Sequence, residues 1–157
     1  IGDRRQRQMC IRDSIIKSRN VTQKRLELCG IKKIEEIIIP HKENILCNKI
    51  QICINRNVDI ILIIGPHAIT HIKDVIPNAI SKSGAKIIRF GIPVEPGNLL
   101  LLSKFKSSNK DIYVIGMPSC AKSPKENGLD WVLWRILCNI NFKNSNLNEL
   151  SVGGLIK

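Results

Sequence analysis

Residues 116–128, Gly-Met-Pro-Ser-Cys-Ala-Lys-Ser-Pro-Lys-Glu-Asn-Gly, make up a small, polar loop that contains two prolines. The residues before it, 111–115, predict a strand, and residues 129–138 predict an amphipathic helix. In α/β proteins, a loop between the carboxyl end of a strand and the amino end of a helix often binds phosphates and other anions. We therefore expect this loop to form part of a binding site.

Strand and helix signals alternate along the rest of the chain. Apolar residues recur at helical spacing in three further segments, residues 21–29, 42–55 and 75–83. Short apolar runs predict strands in residues 35–40, 58–64 and 86–90. The run at 58–64 is nearly continuous, which is typical of a central parallel strand. This alternation predicts an α/β fold built on a doubly wound, mostly parallel sheet with helices on both faces.

The chain is basic, with a formal net charge of +12, but only 4% of its residues are aromatic. Proteins that read nucleic-acid sequence rely on arginine and on stacking aromatic side chains, whereas most of the positive charge here is lysine. We therefore expect a solvated lysine surface, no specific nucleic-acid partner, and a general attraction for an anionic cofactor. The five cysteines that follow residue 14 have no metal-binding spacing, and no apolar run approaches the roughly 20 residues that cross a bilayer. These features indicate a reduced, cytoplasmic protein with no membrane partner.

Two segments, read together, resemble one known family. Residues 93–100 read PVEPGNLL, and residues 119–133 read SCAKSPKENGLDWVL. They are similar to the PVDPGNLL-like and CARSPKENGFDWVL-like segments of the molybdopterin-binding fold called MoaB/Mog, in the subgroup fused to a nucleotidyltransferase of the molybdenum-cofactor type. Agreement over two segments at this spacing is specific, whereas a lone Pro-Gly turn would not be.

The resemblance implies a protein of molybdenum-cofactor biosynthesis. Its ligand would be molybdopterin or the molybdenum cofactor, with the phosphate held at the carboxyl ends of the central strands. The resemblance also implies Mg²⁺ and a nucleotide as candidate partners, and a nucleotidyltransferase domain in the native full-length protein. Activity of this chain alone stays open; if it is active, we expect a molybdopterin nucleotidyltransferase-type transferase or part of one. In this fold a strand precedes the first helix, so we expect that strand to be missing here.

The family's glycine-rich turn after the central strand is matched only in part. Gly65 matches the first glycine, Lys73 stands where an arginine or tyrosine is usual, and Asp74 matches an aspartate that could act in catalysis or hold Mg²⁺. An N-cap of the next helix is the ordinary alternative for Asp74. Pro66 replaces the second glycine and removes a backbone donor, so we expect binding and delivery rather than nucleotide activation.

The resemblance assigns two further walls to the site. The first is the turn Pro96, Gly97 and Asn98, which would contact the pterin edge or serve only as a turn before an apolar run. The second is the loop that opens this section. Its hydroxyls and lysines suit a phosphate, and its candidate binding residues are Gly116, Pro118, Ser119, Cys120, Lys122 and Ser123. Cys120 would be either a reactive thiolate or a small packing residue, and we favour the second.

The ends of the chain are set apart from this domain. Arg4 to Ser14 resembles the translation of a sequencing-library adapter, so we expect residues 1–14 to be an adapter-like artefact that packs against nothing. Residues 15–140 would form the molybdopterin-binding-like domain, with the last helix over by about Asn139. Residues 141–157 would be a polar tail or a truncated linker.

Two other functions remain open. One is a basic module that binds nucleic acid, which draws on net charge alone. The other is an unrelated phosphometabolite enzyme with the same strand-end loops, because a doubly wound fold fixes the location of a site and not its substrate.

Overall fold

The structure is a computed structural model and describes residues 17–31, 33–108, 110–140, 147, 148 and 150. The expected artefact at 1–14 lies outside the described residues, as does most of the expected tail at 141–157. The helices are α1 (residues 17–28), α2 (Glu43–Asn55), α3 (Val75–Lys82) and α4 (Gly128–Leu137). The strands are β1 (Ile60–Ile63), β2 (Lys86–Phe90), β3 (Leu101–Lys106) and β4 (Asp111–Gly116), and a 3₁₀ turn covers Ser119–Lys122.

The four strands form one mixed sheet in the order β1-β4-β3-β2. β1 pairs with β4 in parallel, whereas β3 runs antiparallel to both β4 and β2. Three of the four strands therefore run in the same direction, whereas two of the three pairings are antiparallel, so the sheet is mixed and the doubly wound arrangement stays a prediction. The sheet is mixed because of β3, a strand that we did not predict. The coarser expectation, an α/β fold, agrees with the structure.

Helices pack on both faces of this sheet, because side chains of successive strand residues point to opposite faces. On one face, Leu102 and Ile115 join apolar side chains of α1 and α4. On the other face, Leu101 and Val114 join those of α2 and α3. All four of these strand residues are fully buried. The sheet is thus the middle layer between two helical layers.

The predicted strand at 35–40 is not a strand in the structure. Its isoleucines include Ile37, which is 36% exposed, and Ile38, which is 74% exposed. Ile31 packs against the core on the α1 and α4 face, and Ile39 packs against the core on the α2 and α3 face. The intervening residues therefore pass from one face of the sheet to the other. Three consecutive isoleucines favour a strand, but no described strand pairs with this segment.

Helix α4 ends at Leu137, in agreement with the expected limit near Asn139, and residues 147 and 148 are helical again. Beyond it, Leu147 and Leu150 are buried in the core formed by α1 and α4. Packing thus extends past residue 140, where we had expected a polar tail to begin.

Candidate functional site

One edge of the sheet carries every candidate residue. Four residues in register mark this edge, one from each strand: Ile63, Gly116, Leu101 and Phe90. The edge holds the carboxyl ends of three strands and the amino end of β3, because only β3 is reversed. Each candidate residue lies within this row or in a loop that leaves or enters it. We call this edge of the sheet, with its loops, the carboxyl edge.

The first group of candidates lies in the loop between β1 and α3. Asp74 precedes the helix in the N-cap position, but its carboxylate caps no α3 amide. Instead, its Oδ2 accepts hydrogen bonds from the backbone N–H of His71 at 2.9 Å and of Thr70 at 3.0 Å. The bond from His71, supported by the one from Thr70, lowers the pKa of Asp74 from its ordinary value. The Asp74 carboxylate therefore stabilises the conformation of its own loop, and its lowered pKa favours the ionised form.

A cavity of about 260 Å³ opens beside this loop. It is lined by His41, His67, Ala68, Ile69, Thr70, Asp74, Val75 and Ile76. A Cβ built on Gly65 would lie 2.9 Å from Ile76 Cδ1 and 3.9 Å from His41 Cε1, so Gly65 belongs to the same wall. The backbone N–H of exposed Lys73 donates to His71 Nδ1 at 3.0 Å. The cavity is smaller than most pockets for drug-sized ligands.

The second group of candidates surrounds the amino end of α4. The Gly128 N–H donates to the Pro96 carbonyl at 2.9 Å. A Cβ built on Gly97 would lie only 2.5 Å from Gly128 N, and the φ of Gly97 is +126°. The 93–100 segment is therefore packed backbone to backbone on the 116–133 segment, with no room for a side chain between them. Asn98, the next residue, is exposed.

A buried ion pair and a capping box complete this second group. Arg25 of α1 pairs with Asp130 of α4, and both residues are buried. Asp130 also accepts from the Asn127 N–H at 2.9 Å, and the Asn127 side chain accepts from the Leu129 N–H at 3.0 Å. The first amides of α4 are thus satisfied within the protein. An anion at this loop would have to be held by side chains rather than by the N–H groups of α4.

The remaining loop residues differ in what they offer to a ligand. Ser119 is exposed, and Lys122 and Ser123 are partly exposed. Burial raises the pKa of Cys120, so its thiol stays protonated and suits a packing role rather than a reactive one. Gly116 and Pro118 are buried. They shape the start of the loop and do not face solvent.

The two groups adjoin at Gly116. A Cβ built there would lie 2.5 Å from Ile69 Cδ1, a side chain that also lines the cavity. The cavity lining does not include Lys122, however. The carboxyl edge therefore has a cavity with an acidic residue on one side and a serine- and lysine-bearing loop on the other.

Two residues at this edge were not predicted to matter. His41 lines the cavity, and Arg25 supports the 119–125 segment. His41 follows a predicted strand, which is a position where polar residues are worth considering. Arg25 has no such signal, because a single arginine in an amphipathic helix is ordinarily a solvated residue.

Metal-binding potential is low in the part of the chain that the structure describes. It contains no group of three or more His, Cys, Asp or Glu side chains that could hold a metal ion. Any Mg²⁺ at Asp74 would therefore need further oxygen ligands, such as those of a bound phosphate.

Within the described ranges, no helix has the length and apolarity needed to cross a membrane. Comparison with protein-family models, with curated proteins and with solved structures gives no match for this chain.

Proposed function

We propose that this chain binds molybdopterin, or the molybdenum cofactor, through a MoaB/Mog-type domain that acts in molybdenum-cofactor biosynthesis. The observation that supports this proposal is the contact between the two segments that resemble the family. Residues 93–100 and 116–133 are joined by the hydrogen bond from Gly128 N to Pro96 O and by the close approach of Gly97 to Gly128. Segments that belong to one ligand site are expected to meet in this way.

The donor set at the carboxyl edge fits a phosphate. Ser119 and Ser123 supply hydroxyl groups, and Lys122 supplies a positive charge. The proposed role for these side chains is to hold the terminal phosphate of the pterin. Bound molybdopterin would supply the dithiolene that carries molybdenum, whereas the chain itself binds and orients the ligand.

Asp74 would act at the cavity side of the same edge. Its Oδ2 accepts hydrogen bonds from two amides, and in the proposal the same carboxylate would also accept from a ligand hydroxyl or bind a Mg²⁺ carried by phosphate. Binding and delivery are proposed ahead of nucleotide transfer, because Pro66 cannot donate the backbone hydrogen bond that a second glycine would offer.

The test is anaerobic equilibrium binding of molybdopterin and of its dephosphorylated form to the wild-type chain. Lys122→Ala should weaken molybdopterin binding about tenfold or more, the effect of losing one charge-assisted hydrogen bond. The same variant should bind the dephosphorylated form as the wild type does. Asp74→Asn should change any dependence of binding on Mg²⁺ more than it changes binding without the ion.

A matched control is Lys86→Ala, which removes the same charge from an exposed lysine at the amino end of β2. This end of the sheet lies opposite the carboxyl edge, so binding should not change. Equal weakening by the two lysine variants would mean that only the general field of the protein attracts the ligand. No binding of molybdopterin by the wild type would refute the proposed function.

A further inference from the structure

Arg25 makes an unusually complete set of contacts for a residue of an amphipathic helix. It is only 7% exposed. Its Nη1 donates to the Ala121 carbonyl at 2.9 Å, and its Nη2 donates to the carbonyls of Ser123 at 3.1 Å and Lys125 at 3.2 Å. Its Nε donates to Asp130 Oδ1. One guanidinium therefore binds four acceptors.

These acceptors are far from Arg25 in sequence and surround Lys122. Ala121 and Ser123 are the residues on either side of Lys122, and their carbonyls both bind the same guanidinium. Asp130 ties that guanidinium to α4, whose own start is fixed by the capping box. The backbone that carries the Lys122 side chain is thus clamped to two helices.

Only the planar fork of arginine can satisfy this arrangement. An arginine has five N–H donors in fixed directions, whereas the ammonium of a lysine is a compact point charge at the end of a flexible chain. A lysine at position 25 could keep the ion pair with Asp130 but could not reach the three carbonyls together. The identity of this residue, and not only its charge, therefore determines how the loop is held.

We propose that Arg25 is a positioning residue: by binding the carbonyls of Ala121, Ser123 and Lys125 while paired with Asp130, it fixes the 119–125 segment and thereby places Lys122 for an anionic ligand. The ligand part of this inference rests on the proposed function. The clamp itself does not, and it can be tested without any ligand.

The first measurement is hydrogen–deuterium exchange of the purified chain. Arg25→Lys should speed exchange in peptides that cover residues 119–125 about tenfold, because a segment without the guanidinium contacts should open more often and expose its own amides, such as those of Ala121 and Ser123. Peptides from the 66–74 loop should exchange as in the wild type. Arg56→Lys is the matched control, since Arg56 binds Glu35 with two nitrogens at the surface and touches no part of this loop.

The second measurement is a double-mutant cycle on molybdopterin affinity. If Arg25 acts through Lys122, then Arg25→Lys should weaken binding in the wild type but have little further effect in the Lys122→Ala background. Loss of general stability would instead weaken binding by the same factor in both backgrounds. If Arg25→Lys fails to fold, Asp130→Asn is the second variant, because it removes the charge that holds the guanidinium and keeps a side-chain oxygen for Asn127.

The outcomes separate the two proposals. Unchanged exchange at 119–125 would overturn the positioning role, and so would faster exchange combined with fully additive effects on affinity. Faster exchange confined to 119–125, with non-additive effects on affinity, supports it. If the wild type binds no molybdopterin, the proposed function fails. The exchange comparison alone then decides whether Arg25 fixes the conformation of the 119–125 segment.

Discussion

Gly97 is a position where both the backbone and its neighbour exclude a side chain. Its φ of +126° is rarely adopted by other residues, and a Cβ there would meet backbone atoms of Gly128 at 2.5 and 2.7 Å. Backbone atoms cannot move aside as the end of a flexible side chain can. The close contact between the two motif segments therefore depends on this glycine.

We predict that Gly97→Ala lowers the free energy of unfolding by about 2–4 kcal/mol, the combined effect of strain at positive φ and of overpacking. Urea denaturation of the wild type and variant measures it. The control is Gly30→Ala, because Gly30 also has a positive φ, of +78°, but nothing lies within 4 Å of a Cβ built there. It should cost about 1–2 kcal/mol from strain alone. Equal losses of unfolding free energy in the two variants would contradict the close contact between Gly97 and Gly128.

Asp74 is the candidate residue whose ionisation affects local structure. Its lowered pKa means that the folded loop favours the carboxylate, mainly through the hydrogen bond from the His71 N–H. For a group with a lowered folded pKa, the stabilisation is present above the unfolded pKa and is lost as the pH falls through the folded pKa. Acid should therefore loosen the 70–74 loop.

We predict that an NMR titration places the Asp74 carboxyl pKa below its ordinary value of 3.8. The amide resonances of Thr70 and His71 should shift with the same midpoint, since these amides donate to the carboxylate. In Asp74→Asn, which cannot ionise, that midpoint should disappear from both amides. If the pH-dependent shifts of these amide resonances persist unchanged in Asp74→Asn, then the ionisation of another group causes them.

At the level of elements, the sequence predicts best where the pattern is local. Strand β2 lies where it was expected, at residues 86–90, and α4 begins and ends one residue before the expected bounds. Two strand predictions were wrong, the absence of β3 and the presence of a strand at 35–40, and both depend on which strands pair. β3 is joined to β2 by a loop of about ten residues without a short hairpin signal, and residues 35–40 lack a partner strand in the described sheet. Pairing is a property of the whole sheet and cannot be read from a single segment.

The candidate site shows the same limit. Its place at the carboxyl edge was predicted, because the residue types that follow each strand are visible in the sequence. The hydrogen bonds from Arg25 to this loop were not predicted, since their acceptors on Ala121 and Ser123 are 96 and 98 residues away in sequence. Backbone carbonyls also leave no trace in residue type, so a clamp of this kind has no sequence signal.

The start of α4 gives a prediction at this level. Asn127→Ala should lower the free energy of unfolding by about 1–2 kcal/mol, because it removes the cap on the Leu129 N–H and the bond from the Asn127 amide to the Lys125 carbonyl. Asn127→Ser keeps a capping oxygen and should lose less than half of that. Thermal or urea unfolding measures both. Equal losses would show that the capping oxygen contributes little.

At the scale of the whole molecule, the positive charge of the residues that the structure describes is spread over both ends of the sheet. Exposed lysines occur at the edge of the sheet opposite the carboxyl edge, as with Lys86 and Lys106, as well as at the carboxyl edge, as with Lys73 and Lys125. Several lysines also sit in ion pairs, among them Lys82 with Glu43 and Lys104 with Asp111. This distribution favours a local anion site over a continuous track for a nucleic-acid backbone.

The dependence of binding on salt separates these two functions. A nucleic acid that contacts several lysines releases a counterion at each phosphate, so its affinity falls steeply with salt, by about 10³-fold or more between 50 and 200 mM for six or more contacts. A single pterin phosphate held by Lys122 and two serines involves few charges, and its affinity should fall by less than about fivefold over that range, because a short-range, charge-assisted contact is screened much less. We therefore predict that an oligonucleotide is bound weakly at 50 mM salt and released by 200 mM, whereas molybdopterin is retained.

Fluorescence titrations at both salt concentrations test this prediction, with Lys122→Ala included in each series. Tight oligonucleotide binding that persists at 200 mM salt and is unaffected by Lys122→Ala would favour the nucleic-acid function instead.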